Sequence, residues 1–134
     1  MFILINFMWV HMTIGITALV VFIILPLKYL FRRTRPIRNK SVSRYCNMRD
    51  RENGNPSFPS GDAAACAYFC SVYLYVFSTP WFLVICLPLC SLGRVYVHCH
   101  WLLDTVFGAI FGLVFAIFFY HETYFATFAM PLFN

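Results

Sequence analysis

An all-α, multi-pass transmembrane bundle of about four spans is the fold class that this sequence predicts, and three observations predict it. Of the 134 residues 61% are hydrophobic and only 11% are charged, too few polar groups to cover a soluble domain. Four apolar runs, 2–27, 63–79, 81–97 and 101–120, approach or exceed the roughly 17–25 helical residues needed to cross a hydrocarbon core of about 30 Å. Stretches such as ITALVVFIILPL and FGAIFGLVFAIFFY are apolar in every register, whereas the strands of a membrane barrel alternate apolar with polar residues.

The first run (2–27) lacks a basic start, exceeds the 7–15 apolar residues of a secretory signal, and is followed by cations rather than a small-residue cleavage site. It is expected to remain as a span. The polar segment 28–62 then carries nine of the ten Lys and Arg residues of a chain whose net charge is +5. By the positive-inside rule such a segment stays on the cytoplasmic face, close to anionic headgroups. The second and third runs (63–79, 81–97) meet at the short turn Ser78-Thr79-Pro80 and carry Cys66, Cys70, Cys86 and Cys90. Thiols inside spans behave as small hydrophobes. The two pairs have i, i+4 spacing that a metal could use, but packing is the reading adopted. The fourth run (101–120) places Gly108, Gly112 and Ala116 on one face, which lets another span approach closely.

Four crossings bring three polar stretches to one membrane face: the end of span one, the start of span two and the turn between spans three and four. Each has a chemical reading. In KYLFRRTRP, Lys28 and Arg35 lie about two helical turns apart and suit one phosphate, the Arg as a bidentate fork and the Lys as a point charge. In NGNPSFPSGD, turn residues open a helix whose first N–H groups, on Ser60, Gly61 and Asp62, form an anion site; Ser60 as an ordinary helix cap fits the same pattern. In GRVYVHCHWLLD, His100 and Asp104 are i, i+4. Asp104 can accept the Nδ1 proton of His100 and leave Nε2 free to attack an electrophile, with Arg94 beside them. An interfacial pair reaching for water is the plainer alternative, but ionisable groups at the start of a span are costly enough to point to function. A zinc site from His98, Cys99, His100 and Asp104 is disfavoured, because adjacent residues splay around a helix.

Together the three stretches identify a family. Lys28, six residues, Arg35-Pro36; then Pro59-Ser60-Gly61; then Arg94, five residues, His100, three residues, Asp104: in order and spacing this resembles the type 2 phosphatidic acid phosphatase and vanadium haloperoxidase superfamily. The resemblance runs from Lys28 to about Gly108. It implies a nucleophilic His100 that forms a phosphohistidine and is oriented by Asp104, with Lys28, Arg35, Ser60, Gly61 and Arg94 holding the phosphoryl oxygens. It implies no metal and no cofactor, since three cations and a helix N-terminus supply the charge stabilisation that phosphoryl transfer needs.

Three departures from the family pattern stand out. Gly93 replaces the Ser before the third-motif Arg, and four spans stand where membrane members commonly have six, the difference being N-terminal. Asp62 replaces the second-motif His that would protonate the leaving oxygen and later activate water. A carboxylate can take a proton from water but has none to give. The expectation is therefore a single integral-membrane domain, residues 1–134, that acts as an enzyme: a phosphatase of lipid phosphates or polyprenyl diphosphates, with catalytic His100, Asp104 and Asp62. The alternative is a catalytically weak relative, a structural or headgroup-binding subunit. Expected company is the membrane and a partner subunit or second copy, with no nucleic acid.

Overall fold

The computed structural model of the chain describes residues 2–37, 54–78 and 80–128, and among them every regular element is helical. The first run forms one continuous rod in three parts: α1 (Phe2–Leu19), a π-helical turn (Val20–Ile24) and α2 (Leu25–Phe31). Pro26 gives a reason for the turn. It has no N–H to donate and its ring crowds the carbonyl four residues back, and a locally wider helix accommodates both defects. The rod outruns its expected end at residue 27 and stops at Arg32, whose left-handed backbone (φ 44°) lets its N–H bond the Lys28 carbonyl at 3.0 Å. Lys28 therefore stands on the last helical turn, and so its ammonium is carried by a rigid element. Of the expected polar loop, residues 38–53 lie outside the described residues.

Helices α3 (Gly61–Phe77), α4 (Trp81–Tyr96) and α5 (Leu102–Phe128) follow. α3 begins two residues earlier than expected because the Ser60 hydroxyl accepts the Ala63 N–H and caps it. α5 continues past residue 120, since no Gly or Pro interrupts the stretch from His121 to Phe128. Two stretches, Trp9–Phe31 and Leu102–Phe119, are long and apolar enough to cross a membrane; Trp81–Tyr96 is apolar but shorter.

α3 is the central helix of the bundle, packed along α5 and α4 and touched by α1. Its buried face contributes Ala64, Tyr68 and Val72 to a core shared with Met12, Leu19, Ile24 and Ala116. Large apolar side chains such as Phe22, Leu30, Leu89 and Phe118 remain on the outside. The small face of α5 is used as its sequence suggests. A Cβ at Gly108 would collide with the Ser60 carbonyl, and one at Gly112 with the Ala64 carbonyl. These two glycines let α5 lie directly on the first turns of α3.

The α3–α4 seam has a four-residue step. Asp62, Cys66 and Cys70 descend one face of α3 opposite Arg94, Cys90 and Cys86 of α4, and the Cys66 and Cys90 thiols interact. Three thiols also reach the facing backbone: Cys90 Sγ to the Asp62 carbonyl at 3.8 Å, Cys66 Sγ to Cys86 at 3.7 Å and Cys70 Sγ to Phe82 at 3.5 Å. The spacing that could have served a metal serves close packing of two helices.

Candidate active site

The three polar stretches meet at one end of the bundle. The loop before α3 is fixed there by Phe58, whose ring packs edge-on against Phe31 of α2 at 4.9 Å and Phe107 of α5 at 5.5 Å. Two cations of the first stretch grip this loop by its carbonyls. Lys28 Nζ donates to Pro56 O at 2.8 Å, and Arg35 donates through Nε to Asn55 O at 2.9 Å. Arg35 Nη1 also reaches Cys99 O at 2.7 Å, which joins the first stretch to the residue before His100.

His100 is buried, 2% exposed, in the turn between α4 and α5. Its Nδ1 lies 2.7 Å from the backbone carbonyl of Ser57, whereas the nearer Asp104 oxygen is 3.9 Å away. A carbonyl only accepts, so Nδ1 carries the proton and Nε2 holds the lone pair. The Ser57 carbonyl takes the hydrogen bond that Asp104 was expected to accept. Asp104 is occupied elsewhere. It is 0% exposed, its Oδ1 pairs with Arg33 Nη1 at 2.8 Å, and its Oδ2 accepts the Trp101 N–H at 3.0 Å. Losing Arg33 would leave this buried carboxylate without its cation.

Burial pushes the His100 pKa down from 6.5 to about 4; Arg35 lowers it further, the Ser57 hydrogen bond opposes, and Lys28 and Arg94 add to the lowering. The imidazole is therefore neutral at physiological pH. Three of the motif cations are thus close enough to act on this ring.

The second stretch departs from expectation at Ser60. Its N–H donates to the Asp104 backbone carbonyl at 2.9 Å and its hydroxyl caps α3, so the residue ties two elements together and its own N–H does not face an incoming anion. Gly61 and Asp62 remain as the outward start of the helix. Asp62, 53% exposed at its side chain, forms an ion pair with Arg94, 12% exposed, at Oδ2 to Nε 2.9 Å. The Asp62 carboxylate thus engages Arg94, one of the three cations that act on His100. Arg33 was not singled out from sequence. It sits among three arginines within four residues, and nothing in their spacing marks which one faces Asp104. Ser57 was equally hidden, because its functional group is a main-chain carbonyl. Among the described residues no three His, Cys, Asp or Glu side chains are grouped to hold a metal.

The model of the PAP2 superfamily matches residues 8–128, which include every element of this site. No curated protein and no solved structure matched the chain significantly. A match over most of the chain, with His100, Asp104, Arg94, Lys28 and Arg35 gathered at one end of a helical bundle, makes this protein a member of the PAP2 superfamily and gives it a phosphatase-type function.

Proposed function

We propose that the chain is an integral-membrane, multi-pass phosphatase of lipid phosphates or lipid diphosphates that works through a phosphohistidine without metal. The observation that carries the reading is the neutral His100 ring, its Nδ1 proton directed at Ser57 O, in reach of Arg35, Lys28 and Arg94. Nε2 attacks phosphorus, the P–O bond to the leaving group breaks, and the cations stabilise the charge that collects on the transferring oxygens. Water then attacks phosphorus, the N–P bond breaks to free His100 and phosphate, and the exposed Asp62 carboxylate is the base that takes the proton of the water. The apolar outer faces suit a substrate whose tail lies in lipid. Four crossings, at the four helical rods, are part of this proposal, as is a partner subunit or second copy in the membrane.

The Asp62–Arg94 pair favours a second reading, a headgroup-binding or structural relative, because it spends a clamp cation and offers no proton to a leaving group. One experiment separates the two: phosphate release by the purified chain from phosphatidate and from a polyprenyl diphosphate, beside His100→Ala. Release that disappears in His100→Ala supports the enzyme. Headgroup binding without release selects the relative.

A further inference from the structure

Arg33 lies within the six residues between Lys28 and Arg35, where the motif specifies nothing, yet both of its polar ends are used in the site. Its backbone carbonyl accepts the Ser57 N–H at 2.8 Å, its Nη1 pairs with Asp104 Oδ1 at 2.8 Å, and its guanidinium lies 5.6 Å from the centre of the Trp101 ring. The neighbouring Thr34 carbonyl accepts the Ser57 hydroxyl at 3.1 Å and the Trp101 indole N–H at 3.0 Å. Ser57 and Asp104 are the two acceptors beside His100 Nδ1, at 2.7 and 3.9 Å. One arginine therefore holds both groups that compete for the proton of the nucleophile.

We propose that Arg33 is a positioning residue that decides this competition: by binding Asp104 it keeps the carboxylate from His100, so the Nδ1 proton goes to the uncharged Ser57 carbonyl and the ring is held neutral. The inference rests on reading His100 as the nucleophile, but the state of the ring can be read without turnover. His100 faces Lys28 from α2, Arg35 from the segment after it, Arg94 from α4 and Asp104 from α5. Asp104 is the one anion in that set, and Arg33 compensates it. Without the Arg33 charge, a buried carboxylate 3.9 Å from the ring gains most from a protonated imidazole. A protonated ring has no lone pair with which to attack phosphorus.

The test reads the ring nitrogen resonances of His100 in the full chain, in detergent, across pH. The proteins compared are the unsubstituted chain, Arg33→Gln, Arg33→Lys and the double variant Arg33→Gln/Asp104→Asn, with kcat and KM measured alongside. The unsubstituted ring should carry its proton on Nδ1 at pH 7. Arg33→Gln should raise its proton affinity by about tenfold, one pH unit, Arg33→Lys should keep most of the native behaviour, and the double variant should return toward it because no carboxylate remains. Where turnover is measured, the acid limb of the kcat profile should move up by about one pH unit in Arg33→Gln, while kcat at neutral pH and KM change little. A proton on Nε2 in the unsubstituted chain overturns the proposal, and that result needs no variant to fold. So does an unchanged titration in Arg33→Gln, or a shift that persists in the double variant. The predicted resonances in a chain without turnover would defeat the phosphatase reading and leave this assignment standing.

Discussion

In the proposed reaction the carboxylate at position 62 leaves the leaving group to depart unprotonated, and the cost of that depends on the substrate. An alkoxide leaving unaided resembles hydroxide, whose parent acid has a pKa of about 15.7, whereas a phosphate monoester leaving from a diphosphate has a second pKa of about 6. The natural chain should therefore prefer diphosphates. Asp62→His should raise kcat/KM for a monophosphate by up to about 10²–10⁴, the usual worth of general-acid help, and for a diphosphate by much less. Equal gains on both substrates would remove Asp62 from the leaving group. His100 makes a second prediction, for stability. Its folded pKa of about 4 lies below the ordinary 6.5, so between those values the unfolded chain binds a proton that the native chain refuses. Stability is full above about pH 6.5, falls as pH is lowered through that window, and the loss is complete below about pH 4. Denaturation midpoints from pH 7 to 4 should fall less steeply in His100→Gln, and equal slopes would place the proton uptake elsewhere. Sequence spacing alone gave His100, Asp104, Arg94, Lys28 and Arg35 their places. It could not give Ser57, since any residue has a carbonyl, nor the bond from Ser60 N–H to Asp104 O, since pairing across a fold leaves no mark in spacing.

Helix ends and helix contacts were legible to different degrees. Apolar runs located all four rods, but their ends moved by a few residues wherever a cap decided them, as at Ser60 and Arg32. The glycine face of α5 was readable because only a missing Cβ permits a backbone carbonyl at that distance. Its partner, the first turns of α3, was not, because small residues say that something approaches and not what. Gly108→Leu would drive a side chain into the Ser60 carbonyl, and Gly112→Leu one into the Ala64 carbonyl. Overpacking costs about 1–3 kcal/mol where neighbours can shift, and here the neighbour is backbone. Both variants should lower the yield of folded protein in detergent, and Gly108→Leu, next to the cap of α3, should cost more activity per molecule that folds. Size-exclusion profiles paired with phosphate release would check the order.

For the whole molecule, counting crossings was enough to predict that segments far apart in sequence converge, and Arg35 bonded to Cys99 shows them joined. The charge balance of that end predicts its chemistry: with Lys28, Arg35 and Arg94 acting on His100, the proposed turnover should persist in EDTA and be inhibited by vanadate, which mimics the transferring phosphoryl group. Activity that vanishes in chelator and returns with one divalent cation would overturn this. The thiol-lined seam between α3 and α4 bears on the same end in another way. Small, similar residues at four-residue steps would let two helices slide by one turn, about 5.4 Å, and still find a comfortable fit. What forbids the slide is at the two extremities: the Asp62–Arg94 ion pair at one, and the Tyr73 and Phe82 rings, 4.2 Å apart, at the other. On this reading Asp62, through Arg94, also helps to set the register of α4 on α3. In Asp62→Ala, oxidative cross-linking should spread from Cys66–Cys90 to Cys66–Cys86 as α4 begins to ratchet along its neighbour.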